Sequence, residues 1–273
     1  MSAEPSDGGS SGSGSAKNTP HAECDADGPL TDDAFLNGRV RLWQPAEGYR
    51  AATDPVFLAA ACPAVEGERV LDVGSGVGAG ALCLAWRVPN VRLCGIERQA
   101  RYAEISRRNA ARAAVAYEVW TADIRDAPPA LKAISFDHII TNPPYFPASA
   151  AIPLDEPGKD AAHRETVPLA FWIDFCLRRL RPRGTLTLIH RAERVPEILV
   201  ACHERAGSTT VFPLWPRPGV AAKRVIVHTV KESRGAFMLS DGLVLHDRPG
   251  THEFSAKAQA VLRDGAGITL RPQ

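Results

Sequence analysis

No apolar run in this chain approaches the roughly 20 residues that a membrane-crossing helix requires. The N-terminus has no apolar stretch of the kind a secretory leader carries. No two cysteines stand in C-x-x-C spacing. The six, at positions 24, 62, 83, 94, 176 and 202, are scattered, which speaks against a zinc site or a disulfide framework. Most fall in apolar stretches and read as small buried hydrophobes of a reducing compartment. Neither sign of charge dominates: the net charge is +1, so the whole chain exerts no strong pull on a polyanion. These absences predict a cytoplasmic protein with no metal and no membrane partner, and a monomer is the favoured state. Residues 1–30 set Glu4, Asp7, Glu23, Asp25 and Asp27 against Lys17 alone. The remainder is therefore mildly basic, which is compatible with nucleic acid.

What is present begins with a change of composition. Residues 1–29 are rich in Ser, Gly, Asp and Pro and nearly free of large apolar side chains, so they are expected to be a disordered tail. Residues 30–273 are expected to form one domain with a short hairpin-and-helix extension at its start. Phe35 to Gln44 reads as a hairpin turning at Asn37-Gly38. A helix follows through about Cys62, with Pro55 in its first turn. Thr53 and Asp54 could cap that helix or face a ligand, and the sequence leaves both open.

Beyond it, strand, glycine or acid, and helix alternate: Arg69–Val73, Val91–Ile96, Tyr117–Trp120 and Phe136–Ile140 are β-rich runs separated by helical segments. Such alternation predicts an α/β protein with parallel pairing and right-handed crossovers. Residues 147–165 lack periodicity and read as a long functional loop. A helix over 168–180, a strand Thr185–His190, a helix near 195–206 and two closing strands, Val211–Trp215 and Arg224–Val230, complete the pattern; 251–273 is weakly patterned.

Chemistry gathers at the ends of the strands. Gly74-Ser75-Gly76-Val77-Gly78 follows the first β-rich run, and glycines there let backbone approach a ligand closely at a helix N-terminus. The motif alone suits dinucleotide and S-adenosylmethionine enzymes equally. Glu97 ends the second run roughly 20 positions past Gly76, the spacing of an acid that reaches ribose hydroxyls. Asp123, followed by Ile124, ends the third and could accept from an adenine amine. The fourth run stops at Asn142-Pro143-Pro144-Tyr145, because neither proline has an N–H for a strand ladder. An amide, free carbonyls and an aromatic ring then stand at a strand's C-terminal edge, where open α/β sheets bind ligands.

That group suits a planar target bearing –NH2. The Asn142 oxygen and the Pro143 carbonyl would accept both N–H groups, and Tyr145 would stack on the ring. A nicotinamide enzyme has no use for such a turn; a methyltransferase acting on a planar amine does.

Leu71 to Gly78, Gly95-Ile96-Glu97 and Thr141 to Tyr145 resemble the class I S-adenosylmethionine-dependent methyltransferases that modify amines. Arg41-Leu42-Trp43-Gln44-Pro45, Gly48-Tyr49-Arg50, Thr53-Asp54, Arg181 to Leu186 and Lys223 to Val227 extend the likeness. Together they resemble the bacterial tRNA(Val) adenine-N6 methyltransferase family from about residue 30 onward.

The resemblance implies a doubly wound, mostly parallel, seven-stranded Rossmann-like sheet with an antiparallel closing strand, S-adenosyl-L-methionine as cofactor, and RNA, specifically tRNA, as substrate. It implies cofactor positions at Asp72, Gly74, Ser75, Gly76, Gly78, Glu97, Asp123 and Ile124, with Thr53 and Asp54 near the cofactor's methionine end. Asn142, Pro143, Pro144 and Tyr145 become the catalytic clamp. Arg217, Lys223, Arg224 and His163 are the expected RNA contacts. The basic helix carrying Arg101, Arg107, Arg108 and Arg112 is either a phosphate-binding or a solvated face. Rival readings are a glutamine-N5 methyltransferase of release factors, which carries a sizeable helical domain where only a hairpin and helix fit here, and a non-catalytic adenosine-binding RNA module.

Overall fold

The computed structural model describes residues 24–25, 28–147, 164–165, 167–248 and 250–270. Strands β1 (Gly28–Phe35) and β2 (Val40–Pro45) form the expected antiparallel hairpin, and Asn37 takes the left-handed φ of 56° in its turn. Cys24–Asp25 pairs with Gly28–Pro29, so paired backbone already occurs within the span 1–29.

The rest alternates: α1 (Asp54–Ala61), β3 (Arg69–Val73), α2 (Ala79–Arg87), β4 (Arg92–Glu97), α3 (Ala100–Arg112), β5 (Tyr117–Thr121), β6 (Phe136–Thr141), α4 (Leu169–Arg179), β7 (Leu180–Arg191), α5 (Val195–Cys202), β8 (Ala206–Trp215), β9 (Arg224–Lys231) and α6 (Ala256–Asp264).

Seven long strands form one sheet in the order β8-β9-β7-β6-β3-β4-β5. The five from β7 to β5 are parallel, and β9 runs antiparallel between β7 and β8. Two-residue strands, Met238–Leu239 and Leu243–Val244, flank β8 and raise the expected seven strands to nine.

Strand residues alternate between two covered faces, as a period of two demands. Val70, Ile140, Ile189 and Ile226 pack under α1, α2, α3 and α6. Leu71, Val73, Ile139 and Leu188 pack under α4 and α5. Cys62 and Cys83 lie inside the first of these cores, where burial pushes both thiols up to about 12, as inert hydrophobes should be. Helix α6 falls in the stretch without clear period. Its signals are local instead: Ser255 Oγ accepts from Ala258 N, and Gly265 closes the helix at φ 68°.

The hairpin is fastened to the sheet domain through α3. Arg101 pairs with Asp25, and Arg112 pairs with Asp32 while its guanidinium lies 4.6 Å from the Trp43 ring centre. Arg107 donates to the Val119 carbonyl and the Thr121 hydroxyl. Three of the four arginines therefore brace the fold. Asn109, fully buried, accepts from Trp43 N at 2.7 Å and donates to the carbonyls of Trp43 and Val77, each at 3.0 Å. Asn109→Ala strands the half-buried Trp43 amide, and denaturant unfolding should show a loss of about 2 kcal/mol.

Candidate active site

The sheet register brings the chemical residues together. Val73 at the end of β3 pairs with Ile96 on one side and Thr141 on the other. The glycine turn after β3, Glu97 ending β4 and Asn142 after β6 therefore rim one cleft of about 1100 Å³ that opens to solvent. The cleft also takes in Asp72, Ser75, Asp123, Ile124, Pro143, Pro144 and Tyr145. Residues expected from four separate strand ends thus share one cavity.

Gly74, Gly76 and Gly78 have φ of 71°, 53° and 87°, a conformation that L side chains rarely hold. A Cβ on Gly74 would come within 2.9 Å of the Trp172 ring. The turn's amides are largely used internally. Gly74 N and Ser75 N donate to the Ile96 carbonyl, Gly76 N to Glu97 Oε2, and Gly78 N to the Ser75 carbonyl. The turn offers close approach of backbone to a ligand more than a set of free donors.

Glu97 is nearly buried and accepts from Gly76 N at 3.0 Å and Gln99 N at 2.8 Å. Burial raises its carboxyl above the usual carboxylate range. Asp72 lies deeper, and burial lifts it to about 7, opposed by a hydrogen bond from the Ala81 amide and reinforced by the Glu97 charge. Asp123 differs: its carboxylate accepts from Arg125 N, Nε and Nη2, and the arginine lowers its pKa. Only part of its accepting capacity is left for a nucleobase.

Where β6 ends beside β3, Thr141 Oγ1 donates to the Val73 carbonyl at 2.7 Å and accepts from Trp172 Nε1 at 2.8 Å. The next residue, Asn142, stands with its amide between two phenols. Asn142 Oδ1 is 2.8 Å from Tyr145 Oη, and Nδ2 is 3.5 Å from Tyr49 Oη. Tyr145 Oη is also 2.5 Å from Asp54 Oδ2. Arg224 Nε donates to the same Asp54 oxygen at 3.2 Å, and its guanidinium lies 4.2 Å from the Tyr145 ring centre. The buried His190 ring meets Tyr145 edge-on at 5.3 Å. Its Nδ1 accepts from Arg191 N. Burial, with the charges of Arg194, Arg224 and Arg191, drops it to about 4, while the Pro144 carbonyl opposes that shift. His190 is therefore neutral at pH 7, with its proton on Nε2.

The capping role open to Thr53 and Asp54 is not taken by side chains: Thr53 is the N-cap by position but makes no side-chain cap bond. Asp54 reaches Tyr145 instead. Tyr145 presents only part of its ring, since Arg224 covers one face.

The expected RNA cations also separate. Arg224 packs on Tyr145 and bonds Asp54, Arg217 donates to the Arg248 and Thr251 carbonyls, and Lys223 is exposed. His163 lies outside the described residues. Tyr49 and Trp172 line the cleft without having been singled out from the sequence. Tyr49 stood in a quoted motif, whereas Trp172 is one apolar residue among many in α4 and only packing reveals it. Among the described residues, no group of three or more His, Cys, Asp or Glu is placed to hold a metal, and no helix is long and apolar enough to cross a membrane.

Residues 53–153 match the family model of the methyltransferase small domain. A tRNA1(Val) (adenine(37)-N6)-methyltransferase of Porphyromonas gingivalis is 34% identical over 208 residues, spanning 72% of this chain and 80% of its own. One from Aeromonas hydrophila is 31% identical over 206 residues, spanning 74% and 85%. Among solved structures, an Agrobacterium tumefaciens protein described as a predicted O-methyltransferase has a TM-score of 0.66 at 28% identity, covering 81% of this chain and all of its own.

Proposed function

Because the chain belongs to the tRNA1(Val) (adenine(37)-N6)-methyltransferase family, we propose that it methylates N6 of adenine 37 in a valine tRNA, using Asn142, Pro143, Pro144 and Tyr145 as the amine clamp. The coarser activity, S-adenosyl-L-methionine-dependent methylation of adenine N6 in tRNA, follows from the family. The acceptor is then an RNA and the place of work the cytoplasm. The observation that carries the finer reading is the opening of Asn142 onto the same cleft as Glu97 and the glycine turn.

The residues present fit the cofactor. A glycine cradle, a buried acid at the end of β4 and a cleft open to solvent match an adenosine with a charged tail. Glu97 would hold the ribose hydroxyls, Asp123 and Ile124 would flank the adenine, and Asp72, Gly74, Ser75, Gly76 and Gly78 would shape the wall beside the charged tail. Bound there, S-adenosylmethionine supplies a methyl group made electrophilic by its sulfonium.

Every remaining task belongs to the chain. The target N6 is a weak nucleophile because its lone pair is delocalised into the ring. Asn142 Oδ1 and the Pro143 carbonyl, by accepting its two N–H groups, favour a more tetrahedral nitrogen with its lone pair free. This is positioning and electrostatics, with no strong base required. Among the described residues expected at the RNA, Lys223 is exposed and next in sequence to Arg224, and it serves as a phosphate contact.

Labelled methyl donor incubated with separate pools of tRNA, rRNA, DNA and release factor should mark tRNA, and digestion should return N6-methyladenosine. Label on a release-factor glutamine would overturn the reading.

Asp72 adds a pH dependence. Raised from 3.8 to about 7 in the free protein, it is largely protonated at pH 6, whereas a cationic ligand favours its ionised form. Cofactor binding at pH 6 should therefore release a proton and tighten as pH rises towards 7. Calorimetry in buffers of different ionisation enthalpy reads this directly, and Asp72→Asn should remove most of the release.

A further inference from the structure

Tyr145 has one hydroxyl proton and two acceptors within reach, Asp54 Oδ2 at 2.5 Å and the Asn142 amide at 2.8 Å. A hydroxyl donates once. The carboxylate is the stronger and nearer acceptor, because charge-assisted hydrogen bonds are shorter and roughly twice as strong as neutral ones. Asp54 is held to this task by the Arg224 guanidinium, which binds the same oxygen and also lies on the Tyr145 ring.

With its proton committed to Asp54, the Tyr145 oxygen can only accept from Asn142. The oxygen and nitrogen of an amide are nearly isosteric, so hydrogen bonding decides which of them faces Tyr145. The nitrogen must face it. Asn142 Oδ1 then occupies the position 3.5 Å from Tyr49 Oη, too far for a strong bond to that phenol. It is left with accepting capacity towards the cleft.

We propose that Asp54, acting through the Tyr145 hydroxyl, sets the orientation of the Asn142 amide so that its oxygen meets the target amine. Asp54 and Arg224 are positioning residues in this scheme, and neither touches the substrate. In the opposite orientation Asn142 would present an NH2 to an NH2, a donor facing a donor, and the clamp would repel the group it serves. The inference rests on the amine-clamp reading of Asn142.

The test is a pair of double-mutant cycles, with kcat, the KM for tRNA, the cofactor dissociation constant and the melting temperature read on each variant. Asp54→Asn lets the residue at 54 donate to the Tyr145 oxygen, which returns the tyrosine proton to Asn142 and turns the amide over. It should lower kcat by about 10²-fold, the scale of losing one well-placed transition-state hydrogen bond, with cofactor affinity unchanged within about twofold. Tyr145→Phe cuts the same relay, so the two together should cost no more than the worse of them. Asn142→Asp presents an oxygen in either orientation. In that background Asp54→Asn should cost less than about threefold.

Equal costs of Asp54→Asn in the Asn142 and Asn142→Asp chains would overturn the orientation device while leaving the clamp intact. Should Asn142→Asp have no turnover, the first cycle decides: multiplicative losses from Asp54→Asn and Tyr145→Phe overturn the device, and non-additive losses support it. Wild-type turnover in Asn142→Ala would instead remove the clamp reading itself.

Discussion

Asn142→Ala is expected to lower turnover about 10³-fold while leaving the cofactor dissociation constant within about twofold of wild type. The magnitude is that of removing one preorganised transition-state hydrogen bond. The asymmetry comes from geometry. Asn142 contacts Tyr145 and Tyr49, and none of the hydrogen bonds that hold Glu97 and the glycine turn runs through it. The loss should fall on kcat and kcat/KM alike, because the missing bond strengthens as the nitrogen becomes tetrahedral. Single-turnover assays with saturating cofactor, set beside calorimetric titration, separate the two quantities. A variant that loses cofactor affinity in proportion to turnover would make Asn142 a cofactor-binding residue instead of an amine clamp.

Glu97→Ala should have the complementary effect. The carboxylate has backbone partners on both oxygens, Gly76 N and Gln99 N, and retains lone pairs for ribose hydroxyls. Removing it strands the Gly76 amide and deletes a charged acceptor, each on the scale of about 1–3 kcal/mol. The cofactor dissociation constant should rise about 10²-fold. Turnover at saturating cofactor should change far less, because Glu97 does not touch the methyl or its acceptor. Titration followed by the fluorescence of Trp172, whose ring covers Gly74, gives the constant directly. A dissociation constant within about threefold of wild type would dismiss the ribose assignment.

Much of the cleft was legible in the chain because its parts are punctuated locally. Two prolines end a strand wherever they occur, and a glycine run permits a left-handed turn wherever it follows one. The acid at Glu97 could be placed because the distance from a strand end to the next is set by one helix crossover. The parallel register then did what such crossovers do and stacked these ends at one edge.

Details that needed long-range contacts were not legible. Asp54 could have capped α1 or faced a ligand, and the sequence left both open; its carboxylate binds Arg224 and the Tyr145 hydroxyl. Arg224 looked like an RNA contact because it sits in a basic cluster. Its side chain instead turns inward, where Tyr145 and Asp54 more than offset the burial of its charge. The four arginines of α3 read as either a phosphate-binding or a solvated face, yet three of them find partners within the fold, at Asp25, at Asp32 and on β5. Helix α6 was obscured because its apolar face is narrow, although its cap residues were in place.

The sequence by itself determined the strand ends, the glycine turn and the double-proline corner, since each depends on the dihedral preferences and donors of a few adjacent residues. Only the tertiary structure decided how that corner is held. Asp54 and Arg224 are 170 positions apart. They meet because β9 inserts antiparallel beside β7, pairing Arg224 with Arg191, while α1 begins at the same edge. No local preference encodes a contact of that span; it exists only once the strand order is fixed.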